Sequence, residues 1–170
     1  QQVNFISAAP YGSAMVLPIT HAYIKMMGGE GLTFATKVAI LNANYLVSKL
    51  QPGFSALYSG ENGRVGHEMI VDCRHFRQEY GVETIDIAKR LMDYGFHAPT
   101  LSFPVHETLM VEPTESEPKE ELDRFAEALL SIQDQIKEIK DGEAHPPDTL
   151  LKNAPHTALE VNYAYWDHTY

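Results

Sequence analysis

The sequence has almost no cysteine, no long apolar run and too few basic residues to balance its acidic ones. Cys73 is the only cysteine among 170 residues, so no internal disulfide can form and a reducing compartment fits best. No apolar run reaches the length that spans a bilayer. The formal net charge is −10 and the basic residues form no block, which argues against binding to a nucleic-acid backbone.

What is present is enough apolar sequence for about one folded domain. Hydrophobic residues make up 44% of the chain, which allows a chain of this length to bury a core. The first residue is Gln1, and no basic and apolar signal pattern follows it. We therefore expect an excised piece of a longer protein.

Two helices are predicted in the N-terminal third. The first has Pro18 in its first turn, where a missing N–H is harmless, and Gly28 and Gly29 at its end. Thr33 is the predicted N-cap of the second helix, which runs to about Leu50.

Five further segments predict an α/β domain, α+β in the stricter sense, with a mainly antiparallel sheet covered by two helices. They are strands at 54–58 and 67–73, a helix at 84–94, a strand at 108–112 and a helix from 118 to about 140. Cys73 shares one strand face with Met69 and Val71, which predicts a buried, unreactive thiol. Met92 is expected to face inward in the first of these helices. Residues 141–155, rich in Pro, Asp and Gly, predict an exposed connector.

Several polar clusters have a purely structural explanation. The glycines at 60, 63 and 66 do not form GxGxxG, so no phosphate-binding loop is predicted. His67 and Glu68 lack the second histidine of HExxH, and no metal site is predicted. The carboxylates from Glu112 to Glu121 are predicted to be a solvated acidic turn at a helix start, since acidic residues there complement the helix dipole. That interpretation competes with a catalytic or calcium-binding acid cluster.

The stretch His97 to Thr100, called the HAPT loop below, is the strongest candidate for a binding element. It follows a helix-ending Gly95, and Pro99 and Pro104 stiffen the chain around it. Rigid irregular backbone between a helix and a strand often holds residues that contact a ligand. The alternative is a structural interdomain loop.

The amino-acid sequences of several segments resemble one family. The segments are SAAPYGSAMVLPITHAYIKMMG at 7–28, VAILNANYL at 38–46, GRVGHE at 63–68, DIAKRLMDYG at 86–95, YGFHAPT at 94–100, SFPV at 102–105, TLMVEPTESE at 108–117 and ELDRF at 121–125. Together they resemble the C-terminal part of glycine dehydrogenase (decarboxylating), the P-protein of the glycine cleavage system. The resemblance covers nearly the whole chain and keeps its order.

The resemblance implies the C-terminal small domain of an aspartate-aminotransferase-like (fold type I) enzyme that uses pyridoxal phosphate (PLP). It implies that residues 1–50 are the end of a large PLP domain and a connecting helix, that 51–141 form the small domain, and that 142–170 are a connector and a truncated C-terminal extension. In this family the PLP lysine lies upstream. None of the eight lysines here lies in a loop directly after a strand, where this chemistry usually places it. We expect no catalytic residue in this chain, no bound PLP and no glycine decarboxylation by the chain alone.

The resemblance also implies a reaction and partners for the parent enzyme. That enzyme removes the glycine carboxylate as CO2, with PLP as the electron sink, and passes the aminomethyl group to the lipoyl group of H-protein. The implied partners are H-protein and the missing large PLP domain, in a homodimer or a heterotetramer. A bacterial parent would be cytoplasmic, and a eukaryotic one would lie in the mitochondrial matrix. The candidates to approach cofactor or substrate are Ser7, Tyr11, Ser13, His97 and Thr100.

Two other interpretations remain at this point. One is the small domain of a different fold type I PLP enzyme, against which the specific YGFHAPT and MVEPTESE matches count. The other is a stand-alone α/β regulatory or interaction module, since a small sheet with two helices is a common effector-binding design.

Overall fold

A computed structural model of the chain describes residues 11–51, 53–139 and 149–162. The chain divides into two compact units, Gln1–Lys37 and Val38–Tyr170. Within the described ranges, no helix is long and apolar enough to cross a membrane.

The first unit is helical where it is described. A short 3-10 helix, Ala14–Val16, leads into α1, Leu17–Leu50, which continues into the second unit. Gly28 interrupts the helical geometry with φ 62° and ψ −179°, a conformation that favours glycine. The predicted break at Gly28 is therefore confirmed, but the chain returns to helix at once. The predicted N-cap role of Thr33 is wrong, because its hydroxyl donates to the carbonyl of Gly29 within the helix (2.9 Å).

The second unit contains an antiparallel sheet, as predicted, but the sheet has four strands where the sequence predicted three. Its strands are β1 (Ser55–Ala56), β2 (Met69–Asp72), β3 (Thr100–Leu101) and β4 (Thr108–Val111), in the order β1-β2-β4-β3. Met69 pairs with Val111 and Asp72 with Thr108, and Thr100 pairs with Met110 on the other side of β4. The short β3 was not predicted, and it places the end of the HAPT loop in the sheet.

Among the described residues, five helices follow α1. They are α2 (Arg74–Tyr80), α3 (Thr84–Asp93), α4 (Lys119–Lys137) and the short α5 (Leu150–Asn153); a last short helix, α6, spans Ala158–Asn162. Residues of α1, the sheet, α2, α3, α4 and α5 share one apolar core. The helix predicted from 118 to about 140 is confirmed as α4, and apolar residues at helical spacing face the core: Leu122, Phe125, Leu129, Ile132 and Ile136 are buried and Ile139 is partly buried.

Three local predictions differ from the structure. The second predicted strand ends at Asp72 because α2 begins directly after Cys73. Met92 is 49% exposed. It follows buried Leu91, and consecutive side chains of a helix point about 100° apart, so Met92 points away from the core. The prediction that 141–155 form an exposed connector is wrong from Thr149 to Ala154, because Leu151 and Ala154 are buried. Residues 141–148 of that connector lie outside the described ranges.

Buried charge holds α5 against α3. The carboxylate of Asp86, in the first turn of α3, is almost completely buried and contacts the ammonium group of Lys152. Lys89 donates in turn to the carbonyl oxygen of Lys152 (2.9 Å). The apolar contact of Leu151 and these polar contacts together explain why this segment packs on the domain.

Candidate functional site

The described residues of the second unit form an open groove of about 540 Å³ beside the HAPT loop. Its apolar part is formed by Leu46, Phe96, Met110, Val111, Leu122 and Phe125. Its polar part includes His97, Thr100, Glu112, Glu117 and Glu121. This volume lies within the roughly 300–1,000 Å³ of pockets that hold small ligands.

One wall of the groove is the chain that leaves α3. Gly95 adopts φ 80°, and the amide of Phe96 donates to the carbonyl of Leu91 (3.1 Å), so the helix ends in a sharp turn. The Phe96 ring meets the Phe125 ring edge-on, with centroids 5.2 Å apart. The guanidinium of Arg124 lies 3.8 Å from the centre of the Phe96 ring and donates to the carbonyl of Tyr94 (2.7 Å). The HAPT loop is thus anchored on α4 just before His97.

The opposite wall is the turn between β4 and α4. Buried Asn42 of α1 donates its side-chain amide to the carbonyls of Thr114 (2.9 Å) and Glu117 (3.4 Å). Thr114 has φ 60°, and its hydroxyl accepts a hydrogen bond from the amide of Ser116 (3.1 Å). These contacts fix the backbone that carries Glu112 and Glu117 beside the groove.

The electrostatic character of the groove is acidic. Among the residues that the structure describes, its lining includes three glutamates and one histidine, and no lysine or arginine. Glu121 makes a bidentate pair with Arg124 (2.5 and 2.8 Å), which holds the pKa of the Glu121 carboxyl below its ordinary value. Glu112 lies 3.9 Å from the imidazole of His67. Within the described part of the chain, no ion pair of Glu117 is found.

The five candidate site residues separate into groups. His97 and Thr100 both line the groove. Tyr11 and Ser13 belong to the first unit, where both are exposed, and Ser7 lies outside the described residues. The sequence favours an acidic turn for Glu112, Glu117 and Glu121 over a catalytic or calcium-binding cluster. They are largely solvated, but they come from a strand end, a turn and a helix and meet at one groove, which no spacing in the sequence reveals.

A second polar cluster holds the β3–β4 hairpin in place. The buried carboxylate of Glu107 accepts hydrogen bonds from the amide and hydroxyl of Thr84 (both 2.8 Å) and from Arg77 (2.7 Å). Burial alone would raise the pKa of Glu107, but the hydrogen bonds from Thr84 and the Arg77 charge outweigh it and lower this pKa. The cluster explains how the sheet holds Glu107 at φ 59°.

Cys73 is a core residue, as predicted. Its side chain is completely buried, and this burial raises the pKa of the thiol to about 12. A thiol that stays protonated is a poor nucleophile. Among the residues that the structure describes, no group of three or more His, Cys, Asp or Glu is placed to hold a metal ion.

The sheet, its helices and the groove define a small α+β domain. Residues 35–156 match the family model described as "Glycine dehydrogenase, C-terminal domain", and the chain belongs to this family.

Several bacterial relatives extend this match to nearly the whole chain. Glycine dehydrogenase (decarboxylating) of Bacteroides fragilis is 59% identical over 167 residues, which are 98% of this chain and 18% of that protein. The Vibrio vulnificus and Deinococcus radiodurans proteins of the same name are 57% and 56% identical over 165 residues, each covering 97% of this chain and 17% of the relative. The chain therefore spans less than a fifth of the length of the relatives it matches.

The groove residues do not fit PLP, the cofactor that the family implies in general. The phosphate of PLP is anionic, and three carboxylates without a lysine or arginine in the lining would repel it. The lining, as far as the chain is described, also lacks a lysine amine that could bond to the cofactor's aldehyde. No chemical step through PLP is derived from these residues.

Proposed function

We propose that this chain supplies the small C-terminal domain of a glycine decarboxylase, the P-protein of the glycine cleavage system. The proposed parent enzyme decarboxylates glycine with PLP in the cytoplasm of a bacterium and passes the aminomethyl group to the lipoyl group of H-protein. The large domain, with its lysine, is proposed to lie in the part of the parent that this chain does not span. Residues 1–50 are proposed to lead out of that domain.

The contribution of this chain to the reaction is proposed to be positional. The observation that supports it is the HAPT loop, which forms one wall of the groove and is fixed on α4 by Arg124 and Phe125. A rigid loop beside an open groove suits a domain that closes over a reaction site and excludes water. His97 and Thr100 would then face the site from this side. Ser7, Tyr11 and Ser13 remain the candidates from the N-terminal run.

Reconstitution in trans tests the proposal. The Bacteroides fragilis enzyme would be expressed without its matching C-terminal fifth and mixed with this chain, PLP and lipoylated H-protein. The exchange of labelled bicarbonate into the carboxylate of glycine would then be measured. We expect exchange only when both parts are present. Exchange by the truncated enzyme alone, at the same rate with or without this chain, would contradict the proposal.

A pair of histidine variants tests the role of the HAPT loop in the same assay. His97→Ala should lower the restored rate at least several-fold at saturating concentrations of this chain, because His97 lines the groove. His106→Ala is the matched control, since that side chain is 75% exposed and does not line the groove. Equal rates for the two variants would remove His97 from the proposed site.

A further inference from the structure

We infer that the groove receives a lysine or arginine side chain from the part of the parent polypeptide that this chain does not span, and that it does not receive the cofactor's phosphate. The inference rests on the proposed function, because it assumes that the rest of the parent packs against this domain. It concerns the charge and shape of the groove and can be tested without enzymatic activity.

The charge of the groove selects a cation. Glu112, Glu117 and Glu121 line one cavity whose described lining holds no lysine or arginine. Arg124 neutralises Glu121 from outside the lining, and His67 is the ion-pair partner that the described residues supply to Glu112. Glu117 is the carboxylate for which the described residues supply no ion pair, so an incoming cation would gain most there.

The shape of the groove selects a long side chain with an apolar stem. Leu46, Phe96, Met110 and Phe125 form an apolar surface directly beside the glutamates. Lysine and arginine pack their methylene stems on such surfaces and keep the charged group at a polar edge. A guanidinium would in addition match a carboxylate with two parallel hydrogen bonds.

The part of the parent that this chain does not span is long enough to supply the side chain that enters the groove. The chain covers 18% of the Bacteroides fragilis relative, so most of that protein is available to cover the groove. A second copy of this chain is a poorer partner, because its net charge of −10 opposes association through acidic surfaces. The occupant of the groove is therefore a basic segment of the parent.

The first experiment asks which charge the groove prefers, with the 170-residue chain itself. The chain would be labelled at its methionine methyl groups and titrated by NMR with agmatine or with inorganic phosphate. Agmatine carries a guanidinium and an ammonium at the two ends of an apolar four-carbon stem, so it presents both cationic groups that the inference allows. Met110 lines the groove, whereas Met92 is an exposed internal control on α3. We expect a saturable shift at Met110 with agmatine, and no shift at either methyl with phosphate. A saturable shift of Met110 with phosphate, or its absence with agmatine, would overturn the inference.

Matched variants show whether the glutamates are responsible. Glu112→Gln combined with Glu117→Gln removes two groove charges and leaves the pair of Glu121 with Arg124 in place. This variant should bind agmatine at least several-fold more weakly. Glu61→Gln combined with Glu127→Gln removes the same charge from exposed positions outside the lining and should leave agmatine affinity unchanged. Equal agmatine affinity for the two variants would refute a role for the groove.

The second experiment identifies the occupant. Association of this chain with the Bacteroides fragilis enzyme lacking its matching region would be measured by calorimetry at increasing NaCl. We expect salt to weaken binding, agmatine to compete, and the groove variant to lose much of the salt dependence. Failure of the wild-type chain to associate, or association that agmatine does not weaken, would overturn the choice of occupant. A dimer of this chain that agmatine dissociates would also overturn the choice of occupant. Loss of activity in the reconstituted enzyme with normal agmatine-sensitive association would instead count only against the proposed function.

Discussion

Replacing Glu107 by glutamine tests how the sheet beside the groove is held. The carboxylate is 7% exposed and accepts three hydrogen bonds, two from Thr84 and one from Arg77. Glutamine has nearly the same shape, but it offers one acceptor oxygen and turns an NH2 group toward a donor. The change therefore removes charge-assisted hydrogen bonds without creating a large cavity.

The expected loss is about 2 kcal/mol in the free energy of unfolding at pH 7. Hydrogen bonds to a charged group contribute about 1.5–3 kcal/mol, and glutamine keeps part of the Thr84 interaction. The Arg77 side chain is 47% exposed, so its ion pair adds only about 0–1 kcal/mol. Glu79→Gln, at an exposed position of α2, is the control and should change the free energy of unfolding by less than about 0.5 kcal/mol.

The effect of this substitution should depend on pH, with a sign that follows from the lowered pKa of Glu107. A carboxyl with a lower pKa in the folded state stabilises the fold fully above its unfolded pKa, about 4.3. This stabilisation is lost as the pH falls through the folded pKa. Urea unfolding should thus show a constant difference between wild type and variant above about pH 5 and a smaller one toward pH 3. A difference that is equal at pH 3 and pH 7 would refute the assigned role of the charge.

Two further predictions concern the HAPT loop and α5. Arg124→Met should accelerate hydrogen exchange of the Phe96 amide several-fold, because it removes the stacking on that ring and the hydrogen bond to the Tyr94 carbonyl. Lys137→Met is the control: it breaks an exposed ion pair on the same helix and should leave this exchange rate unchanged. Leu151→Ala should cost about 2–5 kcal/mol in urea unfolding because the side chain is 2% exposed, whereas an exposed connector would tolerate the change within about 0.5 kcal/mol.

The long periodic segments were predictable from sequence. The stripe of α4 repeats at helical spacing over five turns, and a helix with such a stripe requires a core to pack against. The strands around Val71 and Leu109 are bounded by turn residues, and short links favour antiparallel pairing. These patterns sufficed for three of the four strands and for the long helix α4.

The short elements were not predictable for physical reasons. Helix α2 has seven residues and buries only Phe76 of them, so it shows no stripe. The strand β3 has two residues and exists because β4 supplies its hydrogen-bond partners. The burial of Leu151 depends on its tertiary contacts and on the buried charge pair of Asp86 with Lys152, which no local pattern signals.

The candidate site was predicted in part. The prolines and Gly95 identified the HAPT loop as rigid, and the family resemblance drew attention to His97 and Thr100. The acidic character of the groove was missed, because Glu112 and Glu117 read locally as a helix start. Only the fold shows that they face the same cavity as His97.

The central claim is that this chain shapes and closes a reaction site whose cofactor chemistry belongs to the rest of the parent enzyme. Its most direct test is a titration of the purified 170-residue chain with PLP, followed by borohydride reduction and mass spectrometry. We predict the absorbance spectrum of free PLP at every ratio and no stoichiometric modification of one lysine. A saturable new absorbance band, with the cofactor reduced onto a single lysine of this chain, would contradict the account.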